Sequence, residues 1–205
     1  MSWQNWIRTV EIEPELSAAN PSTVDGQVES LLRSGCRIFH LDVDDRGYGM
    51  LESLAPRVHR YDGVLDVHIA GAASVLEAVL RGADSVTVDA GAQDAAAASG
   101  VAREHGRQFG VLFPVLEGPG WLPLDASAVD LVSVAVDDSV TSLVRVREIA
   151  DRLPAGVCLQ VEGDVGHENV GALREAGASV LVVGRPLFER EDLPRTYRRL
   201  VQALA

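Results

Sequence analysis

Two short apolar runs decide the fold of this chain: Arg37-Ile38-Phe39-His40-Leu41-Asp42 and Val64-Leu65-Asp66-Val67-His68. Each run ends in side chains of types that bind metal ions. Because side chains alternate along a β-strand, residues two apart, such as His40 and Asp42, point to the same side. If the two strands are parallel neighbours in one barrel, His40, Asp42 and His68 converge at one mouth.

Strand and helix patterns alternate along the rest of the chain. The predicted strands cover residues 9–16, 37–42, 64–68, 85–88, 108–113, 131–136, 157–161 and 180–183. Helices are predicted at residues 23–34, 50–60, 73–81, 94–105, 139–153 and 167–176, with a last helix that starts at Pro186 or Leu193. Ser22 is the expected N-cap of the first helix. Residues 44–49 and 114–124 are predicted as loops, the first of them a candidate lid over the site.

The order of these elements predicts an α/β fold. No strand alternates polar with apolar residues over its whole length, which suits a parallel sheet that is covered by helices. Gly35, Gly82 and Gly177 each lie between a helix and a strand, where glycine provides a left-handed helix end. We therefore predict a compact (β/α)8 TIM barrel, with residues 1–205 as a single domain. A doubly wound open sheet is the alternative, although no Gly-x-Gly-x-x-Gly follows the first strand.

Composition and charge exclude several classes of function. The formal net charge is −12, which argues against nucleic acid and anionic membranes as partners and leaves a small molecule. All basic residues apart from histidine are arginines, so Schiff-base chemistry through a lysine amine is impossible. The sequence starts without a basic region followed by an apolar one, so we expect no signal peptide. We expect a cytoplasmic protein in which Cys36 and Cys158 are buried thiols.

The carboxyl ends of the strands, where barrel enzymes hold their active sites, collect the polar candidates. A metal site for Zn²⁺, Fe²⁺ or Mn²⁺ is predicted from two imidazoles and two carboxylates, those of His40, Asp42, His68 and Glu162. Asp66 is expected to point into the barrel, where it either orients a metal ligand or makes a structural hydrogen bond.

The chain resembles the ribulose-phosphate 3-epimerase family in strands that occur in the same order. The resemblance is carried by Glu11 to Ala18, Ile38-Phe39-His40-Leu41-Asp42-Val43, Leu65-Asp66-Val67-His68, residues 82–88, Val161-Glu162-Gly163 and residues 176–184. It implies a barrel of the ribulose-phosphate-binding type. It also implies inversion of C3 of a ketose phosphate, by default D-ribulose 5-phosphate to D-xylulose 5-phosphate, by proton transfer through an enediolate.

By this resemblance, one divalent ion per chain acts as a Lewis acid while two carboxylates exchange the C3 proton from opposite faces. Asp42 and Glu162 take these catalytic roles. Substrate contacts are expected at Ser17, Gly163, Gly184 and Arg185. Barrels of this kind often assemble, so we expect a homo-oligomer that acts on a sugar or sugar phosphate.

The chain departs from the family in two places. Glu162 stands where the family has aspartate, and Ala135-Val136-Asp137-Asp138-Ser139 replaces a glycine-rich phosphate loop. Two alternatives therefore stay open: an epimerase of another or unphosphorylated sugar, and a paralogue that binds a ligand without turnover. The related orotidine-monophosphate decarboxylase and hexulose-phosphate synthase group fits less well. Its Asp-x-Lys-x-x-Asp pattern is absent from Asp66-Val67-His68-Ile69-Ala70-Gly71.

Overall fold

The strands of the computed structural model form one parallel sheet of eight strands that closes into a nearly complete barrel. The structure describes residues 2–7, 9–43, 47–92, 94–114 and 129–204. The strands are β1 (Glu11–Pro14), β2 (Ile38–Val43), β3 (Val64–Ile69), β4 (Ser85–Asp89), β5 (Gln108–Pro114), β6 (Leu131–Val136), β7 (Cys158–Gly163) and β8 (Val180–Val183). Each strand pairs with the next from β2 to β8, and β1 pairs with β8. This pairing confirms the (β/α)8 barrel and excludes the doubly wound sheet.

Helices connect the strands around the outside of the barrel. They are α1 (Trp3–Trp6), α2 (Val24–Arg33), α3 (Gly47–Arg60), α4 (Val75–Leu80), α5 (Ala95–Glu104), α6 (Val140–Ala150), α7 (Val170–Glu175), α8 (Arg185–Phe188) and α9 (Leu193–Ala203). Gly35, Gly82 and Gly177 adopt φ angles of +97°, +113° and +111°, which confirms the predicted left-handed turns before β2, β4 and β8. No helix in the described part of the chain has the length and apolar character needed to cross a membrane.

Several predicted boundaries were wrong for local reasons. Thr23, not Ser22, is the N-cap of α2, because the Ser22 hydroxyl donates to Asn20 Oδ1 at 2.7 Å instead. Residues 47–49, predicted as loop, form the first turn of α3. The last helix, predicted as one, is divided into the two helices α8 and α9. The two predicted starts, Pro186 and Leu193, lie in the first turns of α8 and α9, respectively. The other predicted loop residues, 44–46 and 115–124, lie outside the described residues.

The strands bury apolar side chains on their outer face and polar ones inside the barrel. A large apolar cluster between strands and helices includes Phe39, Leu65 and Phe109. Buried polar side chains also come from β1 to β4, β6 and β7; they are Glu13, His40, Asp66, Ser85, Thr87, Ser133 and Gln160. The barrel interior is thus polar enough to support a site at its mouth. Cys36 and Cys158 are buried free thiols.

The helix α1, which the sequence did not predict, covers the N-terminal mouth of the barrel. Trp3 is buried against the starts of several strands, at Ile38, Val64, Leu131, Cys158 and Val180. Its indole Nε1 donates to Ser85 Oγ at 3.2 Å. The barrel is therefore covered by Trp3 at this end, and the predicted site residues lie at the opposite end.

Candidate active site

The candidate residues from β2 and β3 lie side by side at the carboxyl end of the barrel. Asp42 is in register with His68, and His40 with Asp66. Register and two-residue alternation together bring the three predicted ligands His40, Asp42 and His68 to one edge. Their contact follows from the sequence pattern, while their role as metal ligands stays a prediction.

Asp42 bridges the two imidazoles. Its Oδ1 lies 3.1 Å from His68 Nδ1 and 3.4 Å from His40 Nε2. The His40 side chain is 2% exposed and that of Asp42 is 53% exposed, so the bridge runs from the barrel interior to the solvent. The second nitrogen of His68, Nε2, faces Asp89 Oδ1 at 3.3 Å. The imidazole of His68 therefore lies between the carboxylates of Asp42 and Asp89, and that of His40 lies between those of Asp42 and Asp66.

Glu162 stands on β7, apart from this bridge but on the same cleft. Its Oε2 accepts a hydrogen bond from Ser133 Oγ at 3.1 Å. Glu162 lines the cleft together with His40 and Asp42. The cleft thus carries a carboxylate from each of two separate strands, which is the arrangement needed to reach two sides of one bound molecule.

A second set of polar groups lies directly beneath the mouth. Asp66 Oδ2 lies 3.2 Å from His40 Nδ1 and accepts from Gln160 Nε2 at 2.9 Å. Gln160 Nε2 also donates to Glu13 Oε2 at 2.6 Å. The sequence left two roles open for Asp66, orientation of a metal ligand or a structural hydrogen bond. The structure shows that Asp66 is hydrogen-bonded to His40, which is a candidate metal ligand. Sequence reasoning missed Glu13 and Gln160. The signal for Gln160 was its place two residues before Glu162.

The surroundings shift the pKa values of the bridge in opposite directions. Burial alone would raise the pKa of Asp42, but hydrogen bonds from His40 and His68 hold it well below its usual range. Burial would lower the pKa of each histidine, yet the hydrogen bonds that both imidazoles donate to Asp42, with one more from His40 to Asp66, raise the pKa of both. Asp42 is therefore the ionised partner of two imidazoles that favour the protonated form.

The two deeper carboxyl groups behave differently from Asp42. Burial raises the pKa of Glu162, although the charges of His40 and His68 act in the opposite direction. Burial, together with the charge of Asp66, raises the pKa of Glu13 well above its usual value. The pKa of Glu162 is thus shifted in the opposite direction to that of Asp42. Such a divergence between two carboxyl groups is typical of acid–base pairs in enzymes.

The donor chemistry of the site fits a divalent metal ion. Two imidazoles and two carboxylates are a set that Zn²⁺, Fe²⁺ and Mn²⁺ accept. Among the described residues, however, the group whose ligand atoms all lie within 4.8 Å of one another is the buried set of Glu13, His40 and Asp66, which shares only His40 with the predicted set. In the described part of the chain, Glu13 Oε1 and Asp66 Oδ1 are buried without a hydrogen-bond partner. These two oxygens can be satisfied by a bound cation or, as the raised pKa of Glu13 indicates, by a proton on Glu13.

The predicted substrate contacts divide between the cleft and its rim. Gly163, Gly184 and Arg185 line the cleft, which has a volume of about 830 Å³. Ser17 lies in a short 3₁₀ turn after β1, and its hydroxyl donates to the Asp42 carbonyl oxygen at 3.4 Å. A direct role of Ser17 with substrate stays a prediction.

Fold and site together define a (β/α)8 barrel with histidines and carboxylates at the carboxyl ends of its strands. No family model matches the chain. Thiamine phosphate pyrophosphorylase from Pyrococcus furiosus is similar in structure, with a TM-score of 0.74, 14% identity and coverage of 95% of both chains. A 3-hexulose-6-phosphate synthase has a TM-score of 0.70 at 19% identity, over 95% of this chain and 100% of that one.

A third similar structure is orotidine 5'-phosphate decarboxylase from Pyrococcus horikoshii OT3. Its TM-score is 0.71 at 16% identity, over 95% of this chain and 99% of that one. Identities this low establish the fold. The resemblance to ribulose-phosphate 3-epimerases therefore stays a prediction.

Proposed function

We propose that this protein is a metal-dependent epimerase that inverts C3 of a ketose or ketose phosphate. The observation that supports it is the pair of carboxyl groups with divergent pKa values, Asp42 and Glu162, on separate strands of one cleft. The similar structures support an enzyme of this general kind, since each of their names denotes an enzyme and includes a phosphate.

Epimerisation at C3 needs one group to remove a proton from one face and another to return a proton to the opposite face. Asp42, whose pKa is lowered, is ionised and accepts the proton. Glu162, on a separate strand of the cleft, returns a proton to the opposite face. One turnover leaves Asp42 protonated and Glu162 ionised, so proton exchange with solvent restores the starting state before the next turnover in the same direction.

The other residues hold the site in place. His40, Asp42, His68 and Glu162 would bind a divalent ion, which supplies Lewis-acid stabilisation of the negative charge that develops at the ketose oxygens. Asp66 accepts the hydrogen bond from His40 Nδ1 and so leaves Nε2 directed at the mouth. Ser133 orients the Glu162 carboxyl through its hydroxyl.

The test is exchange of the C3 hydrogen of candidate ketoses with deuterium from solvent, followed by NMR on metal-loaded protein. We expect exchange in the wild type and a fall of about 100-fold to 10,000-fold in Asp42→Asn and in Glu162→Gln. Asp151→Asn, which changes an exposed carboxylate at the end of α6 outside the cleft, is the matched control. Metal binding without exchange on any ketose would refute the epimerase and leave a ligand-binding barrel.

A further inference from the structure

We infer that the substrate of this cleft carries no phosphate and that its far end is an uncharged hydroxyl-bearing chain or a cationic amine. The inference rests on the proposed function, because it concerns the substrate of the same site. It is drawn from the charge of the cleft wall and from the way the backbone donors near the cleft are used.

The wall of the cleft is strongly acidic. Among the residues that the structure describes, seven with carboxylate side chains and two arginines line it: Glu15, Asp42, Asp138, Glu162, Asp164, Glu168 and Glu189, with Arg185 and Arg190. A divalent ion bound by Asp42 and Glu162 would offset the charge of those two. The remaining five carboxylates still outnumber the arginines, so a phosphate dianion would enter a region of like charge.

These carboxylates stand where the far end of a substrate would lie. Glu15 follows β1, Asp138 follows β6 and Asp164 follows β7, so they surround the cleft on the side away from His68. A Cβ atom placed on Gly184 would lie 3.6 Å from Glu15 Oε2. The Glu15 carboxylate therefore occupies the space beside the backbone at the end of β8, which an anionic group would need for close approach.

Several backbone donors at the helix starts beside the cleft are already in use. A helix N-terminus attracts anions through its free N–H groups. At the start of α6, Asp137 Oδ1 accepts from the Ser139 N–H, and Ser139 Oγ accepts from the Ser142 N–H. Before α7, Asn169 Oδ1 accepts from the Gly166 N–H at 2.9 Å. A phosphate at either place would have to displace a side chain of the protein itself.

Arg185 and Arg190 are the groups that favour the opposite conclusion. Both are exposed, and among the described residues neither guanidinium has a carboxylate within ion-pair distance. They lie on α8 and just after it, next to Glu189 on the same wall. The charge of Glu189 on the same wall opposes their effect on a phosphate, and a variant of Arg185 separates the two possibilities.

The first readout is binding, which does not depend on turnover. Phosphorus NMR follows inorganic phosphate and D-ribulose 5-phosphate against the full chain, with metal added. We expect no saturable binding by the wild type and measurable binding by Asp138→Asn/Asp164→Asn. Asp151→Asn, an exposed aspartate at the end of α6 that does not line the cleft, is the matched control. Saturable binding by the wild type that Arg185→Ala abolishes would overturn the inference.

The second readout is C3 deuterium exchange with three probes: D-ribulose, its 5-phosphate and a ketose that bears a terminal amine. We expect kcat/KM for the phosphate ester to be about tenfold or more below that for the neutral or amine-bearing ketose, which corresponds to about 1.4 kcal/mol. A preference for the phosphate ester would overturn the inference and leave the epimerase intact. Absence of exchange on all three would refute the proposed function, while the binding readout would still decide the charge of the ligand.

Discussion

Replacement of Asp66 by asparagine tests whether the buried groups beneath the mouth support the metal site. Asp66 is fully buried, and its Oδ2 contacts both His40 Nδ1 and Gln160 Nε2. Asparagine has the same size but no charge, so His40 loses the carboxylate that fixes its ring. Loss of such a partner typically weakens metal binding by about 10-fold to 100-fold. We expect that loss here, equivalent to about 1.4–2.8 kcal/mol.

The loss should also depend on pH in a defined direction. Asp66 helps to raise the pKa of His40, so protons compete with metal at that imidazole up to a higher pH in the wild type. In Asp66→Asn this pKa falls and the competition from protons weakens. The deficit in metal affinity should therefore be larger above the pKa of His40 than below it.

The assay is competition for Zn²⁺ with a chromophoric chelator, at several pH values, beside urea unfolding of each variant. Asp130→Asn is the control, because Asp130 accepts a backbone hydrogen bond from Phe109 at the opposite end of the barrel. It should change stability without changing zinc affinity. If folded Asp66→Asn binds zinc as tightly as the wild type at every pH, the supporting role of Asp66 is wrong.

Three further predictions concern stability. Trp3→Ala should lower the free energy of unfolding by about 3–5 kcal/mol, because Trp3 is 1% exposed at the closed mouth; a loss below about 1 kcal/mol in urea titration would contradict this account. Glu13→Gln, which keeps an acceptor for Gln160, should be tolerated, whereas Glu13→Ala should cost about 1–3 kcal/mol by leaving one of the two N–H groups of the buried Gln160 amide unpaired; equal losses in thermal unfolding would argue against it. In the metal-free protein, the raised pKa values of His40 and His68 give stability that is complete below their unfolded value of about 6.5 and is lost as pH rises through their folded values. The melting temperature in chelator should therefore fall between neutral and alkaline pH, and saturating zinc should reduce that fall; a flat profile would show that the imidazoles are not paired as described.

The barrel could be predicted because its strands are recognisable in the sequence as short apolar runs. Runs such as Leu131–Val136 and Val180–Val183 are apolar apart from Ser133, and the structure places these two strands within those bounds. The polar residues at strand ends followed from the same pattern, since parallel strands present their carboxyl ends at one mouth. The repeated strand-and-helix pattern was therefore enough to predict most of the fold and the positions of His40, Asp42, His68 and Glu162.

The features that were missed depend on contacts between distant residues. Glu13 lies in Glu-Ile-Glu-Pro, which resembles a solvent-exposed edge, and its burial follows only from the partners that β7 and β3 supply. Trp3 lies in a polar N-terminal segment, and its burial depends on the starts of strands far along the chain. Helix ends also differed, as at Ser22, because competing local hydrogen bonds decide them.

The seam of the barrel, where β1 pairs with β8, sets an order for its assembly. Trp3 contacts Ser85 and Gln108, which lie 82 and 105 residues after it in the chain. During translation, β1 and α1 leave the ribosome long before these partners exist, and contacts of such sequence separation form slowly. The seam and the closed mouth can therefore complete only after residues 180–183 have been made, so the nascent chain carries an open sheet edge until then.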